Sequence, residues 1–90
     1  MSQMNKLDQR QQLMGVTMEE CGELNHACSK ALRRGELYEN SDSEQKLIQE
    51  VGDVYAMIDL LVEWDVLSWT EIEEQRNKKR EKLKKWSDLI

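Results

Sequence analysis

Apolar positions in this chain recur with a helical period rather than the alternation of a strand. Leu7, Leu13, Val16, Leu24, Ala27, Ala31 and Leu32 fall at helical spacing and predict a first helix from about residue 4 to 33, kinked at Gly15. Thr17, three residues before Glu20, supplies a capping box if the helix restarts there. Arg34-Gly35 ends that helix. Glu36 to Ser43 is the one substantial loop expected, with Ser41 or Ser43 as N-cap of the next element.

The second helix is predicted over about 44 to 65, and its middle, Val54 to Val62, is apolar on almost every side. A helix with no polar face is buried all round. Three helices of one small chain cannot wrap such a segment, so another subunit is expected to cover the rest. Ser68 then caps a third helix from about 69 to the C-terminus, with Trp69, Ile72, Leu83, Trp86 and Ile90 in heptad-like positions. The expected fold is all-α, a single domain over residues 1–90. It is a bundle of about three long helices per chain, completed by oligomerisation to a dimer or tetramer.

Composition agrees. The chain has 90 residues, no Pro and four Gly, and is 34% charged, a balance that favours helix. At this size only about 60% of the unfolded chain's surface is buried, so association would help. The net charge of −5 argues against a surface that grips nucleic acid or an anionic membrane. Charge is nevertheless uneven, since seven of the thirteen basic residues lie between Arg76 and Lys85. The polar N-terminus does not resemble a signal peptide and no apolar run approaches the ~20 residues of a membrane span, so a cytoplasmic protein is expected. Cys21 and Cys28 lie about two helical turns apart, too far for a disulfide. With His26 they match no common zinc motif, and reduced, partly buried thiols are expected.

Two carboxylate doublets change the picture. In Glu20-Cys-Gly-Glu23 and Glu50-Val-Gly-Asp53 the acids stand three residues apart, about one turn along a helix, with Cβ atoms roughly 5–6 Å from each other. Glu20 continues the apolar stripe of Ala31, Ala27 and Leu24, and Glu50 and Asp53 flank Val51 and Val54. Both doublets therefore turn toward packed surface. Uncompensated buried carboxylates would cost several kcal/mol each, so a partner is required. Four hard oxygen ligands without His or Cys select Mg²⁺, with Mn²⁺ as the alternative, over zinc or copper. Such Mg²⁺ sites commonly take further oxygens from substrate phosphates. On the third helix Arg76 and Lys79 occupy positions of the apolar stripe and are expected to point inward, while Lys78, Lys82 and Lys85 face elsewhere.

Glu19-Glu20-x-x-Glu23-Leu24, then Glu50-x-Gly52-Asp53-Val54 with 26 residues between Glu23 and Glu50, resembles the ExxE…ExxD signature of the MazG-like all-α nucleoside triphosphate pyrophosphohydrolases. Asn77-Lys78-Lys79 is similar to the family's Asn-x-Lys segment, with Arg80 where the family carries an aromatic. The resemblance runs from about Leu13 to Trp86. It implies Glu20, Glu23, Glu50 and Asp53 as metal ligands, Glu20 or Glu23 as the base, and Asn77 and Lys79 as phosphate or ribose contacts; Arg76, from its place in the stripe of the third helix, joins them as a candidate substrate contact. The resemblance does not fix the base pocket, which is expected near the first helix, around Leu13, Met14 and Met18.

The implied reaction is Mg²⁺-dependent hydrolysis between the α and β phosphates of a (d)NTP, giving a nucleoside monophosphate and pyrophosphate. One rival is a non-catalytic helical module for oligomerisation or partner binding. Another is a phosphatase that removes only the terminal phosphate.

Overall fold

The structure, a computed structural model, describes residues 6–90. The side chain of Leu7 and the helix start expected near residue 4 lie outside what it describes. Three helices, α1 (Lys6–Arg34), α2 (Asp42–Glu63) and α3 (Trp69–Trp86), account for the regular structure, and no strand occurs among the described residues. The all-α expectation therefore holds. The chain forms two compact units, Met1–Leu60 and Leu61–Ile90.

In the first unit α1 runs unbroken through Gly15. Thr17 does not restart it: its hydroxyl donates to the Leu13 carbonyl at 2.7 Å, a bond made inside a continuing helix. Gly35, at φ 66°, then closes α1. Its N–H donates to Leu32 O at 3.3 Å and the Glu36 N–H to Ala31 O at 3.1 Å, the paired bonds of a Schellman motif.

Between the two expected caps, Ser41 takes the role. Its buried hydroxyl accepts from the Glu44 N–H at 3.1 Å and donates to Glu36 O at 3.3 Å. Ser43 is buried as well, and its hydroxyl donates to Glu36 Oε1 at 3.1 Å. The loop is thus fastened to both helices, which makes α1 and the start of α2 a pinned αα-hairpin.

The core of this unit is small. Leu13, Ala27 and Ala31 of α1 and Met57 of α2 are its buried apolar residues. Within the segment expected to be buried all round, Met57 and Leu61 are buried, Val54, Ile58, Leu60 and Val62 half-buried, and Tyr55 and Ala56 exposed. The single chain covers only part of that helix.

In the second unit α2 ends two residues earlier than expected, through a second Schellman motif with Asp65 at φ 57°. Asp65 N–H donates to Val62 O at 3.0 Å and Val66 N–H to Leu61 O at 2.9 Å. Ser68 caps α3 as expected, accepting from the Glu71 N–H at 3.3 Å. That helix stops at Trp86 rather than at the C-terminus, where the Ser87 N–H and hydroxyl both donate to Leu83 O. Ile90 is therefore not a helical position. No residue of α3 is buried.

Candidate metal centre

Helix α1 presents Glu20 about two turns before Ala27, and α2 presents Lys46, Glu50, Asp53 and Met57 at i, i+4, i+7 and i+11. Because the hairpin is antiparallel, the middle of α1 meets the third and fourth turns of α2. One carboxylate oxygen each from Glu20, Glu50 and Asp53 lie within 4.8 Å of one another, the one such group found among the described residues.

Glu50 is the innermost member, only 3% exposed. Lys46 Nζ stands 3.0 Å from its Oε1. The other oxygen, Oε2, is buried with no hydrogen-bond partner. An unsatisfied buried acceptor costs about 1–3 kcal/mol, more when charged.

Glu20 feels the same deficit. Partial burial raises its pKa above the usual carboxylate value, and the charges of Asp53, Glu50, Glu23 and Glu19 push it further the same way. The Lys46 pKa is also raised, first by its hydrogen bond to Glu50 and then by the Glu50 charge, against opposing desolvation and with smaller help from Glu23 and Asp53. One ammonium thus faces several carboxylates, and one buried oxygen has no partner.

The donor set fits a hard divalent cation. Around Mg²⁺ at 2.0–2.1 Å adjacent oxygens stand about 2.9 Å apart and opposite ones about 4.2 Å, so these three would close by up to about 2 Å to share one ion, with waters or a ligand completing an octahedron. Lys46 was not anticipated. Its signal was present as the i, i+4 pair Lys46…Glu50.

Glu23, the fourth expected ligand, is exposed and outside this group, although its charge acts on both Glu20 and Lys46. Arg76, Asn77 and Lys79 lie in the second unit and are all exposed. The inward placement expected for Arg76 and Lys79 is therefore corrected. The α3 stripe half-buries only Ile72 and Leu83 and leaves the cations between them in water, with Arg76 donating to Asn77 Oδ1 at 3.4 Å.

Cys21 and Cys28 are exposed rather than partly buried. Of the expected base-pocket residues, Leu13 is buried while Met14 and Met18 are exposed.

No known protein-family model, no curated protein and no solved structure matches this chain. Among the described residues no helix is long and apolar enough to cross a membrane.

Proposed function

We propose that this chain is a Mg²⁺-dependent nucleoside triphosphate pyrophosphohydrolase that acts as a homo-oligomer. The carrying observation is the convergence of carboxylate oxygens of Glu20, Glu50 and Asp53 from two helices, together with a buried Glu50 oxygen, Oε2, that has no hydrogen-bond partner. Those three residues hold the ion, Mg²⁺ or in its place Mn²⁺. The ion would neutralise charge on the phosphates and acidify a bound water. Glu20, whose pKa is raised by burial and by the neighbouring acids, is the first candidate to take the proton of that water. Glu23, beside it and exposed, is the second candidate for that role. Arg76, Asn77 and Lys79 remain candidate substrate contacts on the strength of the motif resemblance.

Association is supported by what one chain leaves uncovered. Ile48, Val51 and Tyr55 are 51–61% exposed on one face of α2, and with Leu47 and Gly52 they line a shallow apolar groove. A Cβ on Gly15, Gly22 or Gly52 would meet nothing within 4 Å, although each glycine costs its helix about 1 kcal/mol relative to Ala. Close approach by another chain gives those glycines a purpose. Light scattering should report an oligomer, and a stable monomer would remove this part of the reading.

The test of the reaction is pyrophosphate release over the canonical and deoxy NTPs in Mg²⁺. Pyrophosphate with a nucleoside monophosphate supports the proposal, and orthophosphate with a diphosphate points to the phosphatase instead. The non-catalytic module draws on the Lys46–Glu50 pair, which already neutralises one carboxylate. It predicts a melting temperature indifferent to Mg²⁺ and a non-hydrolysable nucleotide. A ligand held by the folded state at 100 times its Kd would instead add about 2.7 kcal/mol.

A further inference from the structure

Between Gln11 and Leu60 the Lys and Arg residues are Lys30, Arg33, Arg34 and Lys46, four cations near the loop between α1 and α2, while Lys6 and Arg10 belong to the start of α1. Lys30, Arg34 and Lys46 line a cleft of about 220 Å³ together with Ala27, Asp42 and Ser43. Lys30, Arg33 and Arg34 line an adjoining hollow of about 360 Å³.

Three acids temper the cleft. Asp42 is part of its wall, Glu36 holds Arg34 Nη1 at 3.7 Å and Glu50 holds Lys46 Nζ at 3.0 Å. With Arg33 of the adjoining hollow, four cations against these three acids leave the region positive by one. Cations brought this close repel one another, and a bound anion removes that cost.

The position of the cleft says which anion. Lys46 is the junction: it lines the cleft, and its Nζ bonds one oxygen of Glu50, whose other oxygen is buried without a hydrogen-bond partner and whose carboxylate belongs to the acid cluster. Along α2, Lys46 precedes Glu50 by one turn and Asp53 by two, about 6 and 10 Å. A ligand that binds a cation at one point and carries several further negative charges in a row matches that layout, which is the description of a polyphosphate.

We propose that the cleft holds the distal phosphates of the substrate, with Lys30, Arg34 and Lys46 as its phosphate-binding residues. This rests on reading the acid cluster as the metal centre of a nucleoside triphosphate hydrolase. It moves the main phosphate site from α3 into the hairpin, and it gives the bound nucleotide a direction. Along α1 the order is phosphate cleft at Lys30 and Arg34, metal centre at Glu20, and base region at Leu13 to Met18, so the base points toward the N-terminal half of α1.

The test is titration calorimetry of the full chain with Mg²⁺ and inorganic tripolyphosphate, alongside Mn²⁺ binding followed by electron paramagnetic resonance. Lys30→Ala/Arg34→Ala changes exposed side chains, and circular dichroism verifies its fold. Lys82→Ala/Lys85→Ala, at exposed positions of α3, is the control of equal charge change. The expected result is tripolyphosphate affinity at least tenfold weaker in the Lys30/Arg34 variant, unchanged in the α3 variant, with Mn²⁺ binding the same in all three. Wild-type affinity in the Lys30/Arg34 variant, a loss confined to the α3 variant, or no tripolyphosphate binding by the wild type would overturn the proposal. A chain that binds no Mn²⁺ yet needs Lys30 and Arg34 for tripolyphosphate would keep the cleft and lose the metal centre.

Discussion

The two units of this chain treat charge in opposite ways. In Met1–Leu60 an acid, Glu50, is buried more deeply than most of the apolar residues, and the hydroxyls of Ser41 and Ser43 are buried with it. In Leu61–Ile90 helix α3 buries nothing, and its run of lysines and arginines stands in water. An exposed ion pair such as Lys84–Glu81, at 2.9 Å, requires no explanation beyond solvation and is worth little. A buried carboxylate oxygen without a partner does require one. Chemistry is therefore to be sought where the fold sustains a cost, in the hairpin, even though α3 is the more densely charged helix.

That contrast breaks most visibly under truncation. Met57→Ala, in the core of the first unit, should lower the unfolding free energy by about 2–5 kcal/mol. Leu83→Ala, on the half-buried stripe of α3, should cost about 1 kcal/mol or less, because little area is removed from water. Urea unfolding of both variants checks this. Equal losses would mean that α3 is packed as tightly as the hairpin in the assembled protein.

Activity sharpens the comparison. Glu50→Gln should lower Mg²⁺-dependent pyrophosphate release by about 10²-fold or more, since it removes charge from the centre of the site. Arg76→Ala/Lys79→Ala should lower it less than about tenfold, as expected of exposed charges acting through solvent. Steady-state kinetics on one good substrate measures both, and the reverse order would return the phosphate site to α3.

The pH dependence of the metal-free protein belongs to the hairpin as well. The folded state raises the Glu20 pKa, through burial first and then the charges of Asp53, Glu50, Glu23 and Glu19. Between the unfolded and folded values the folded chain holds more protons, so stability is greatest below the ordinary carboxylate range and declines as pH rises through the folded value. Thermal melts from pH 4 to 7 should show that decline, and Glu20→Gln should flatten it. Mg²⁺ should remove it too, because the ion favours the ionised carboxylate.

Much of the hairpin is legible in the sequence, for physical reasons. Gly35 and Ser41 end and begin helices by chemistry that depends on few neighbours, and the apolar stripes turn Glu20 and Glu50 inward. What escapes is how far each side chain penetrates. Residues three apart on a helix differ by about 60° around its axis, so Glu20 can be half-buried while Glu23 reaches solvent. A stripe also states a preference that only a neighbouring surface fulfils. Around Arg76 and Lys79 nothing in the second unit supplies one, whereas Met57 and Leu61 find cover.

The helix caps give the finest form of the comparison. Ser41 and Ser68 perform the same local task, each accepting a hydrogen bond from the N–H three residues on, Glu44 at 3.1 Å and Glu71 at 3.3 Å. Ser41 is 4% exposed and also donates to Glu36 O, so its hydroxyl ties α2 to the loop two residues past the end of α1. Ser68 is exposed and its hydroxyl serves α3 alone. Ser41→Ala should therefore cost about 1–2 kcal/mol, the cap together with a buried carbonyl left short of a donor, and Ser68→Ala about 0.5–1 kcal/mol. Denaturant midpoints at constant slope measure the difference. Equal costs would mean that water or an associated chain replaces the Ser41 bond to Glu36, and that the loop is held by the Ser43–Glu36 bond alone.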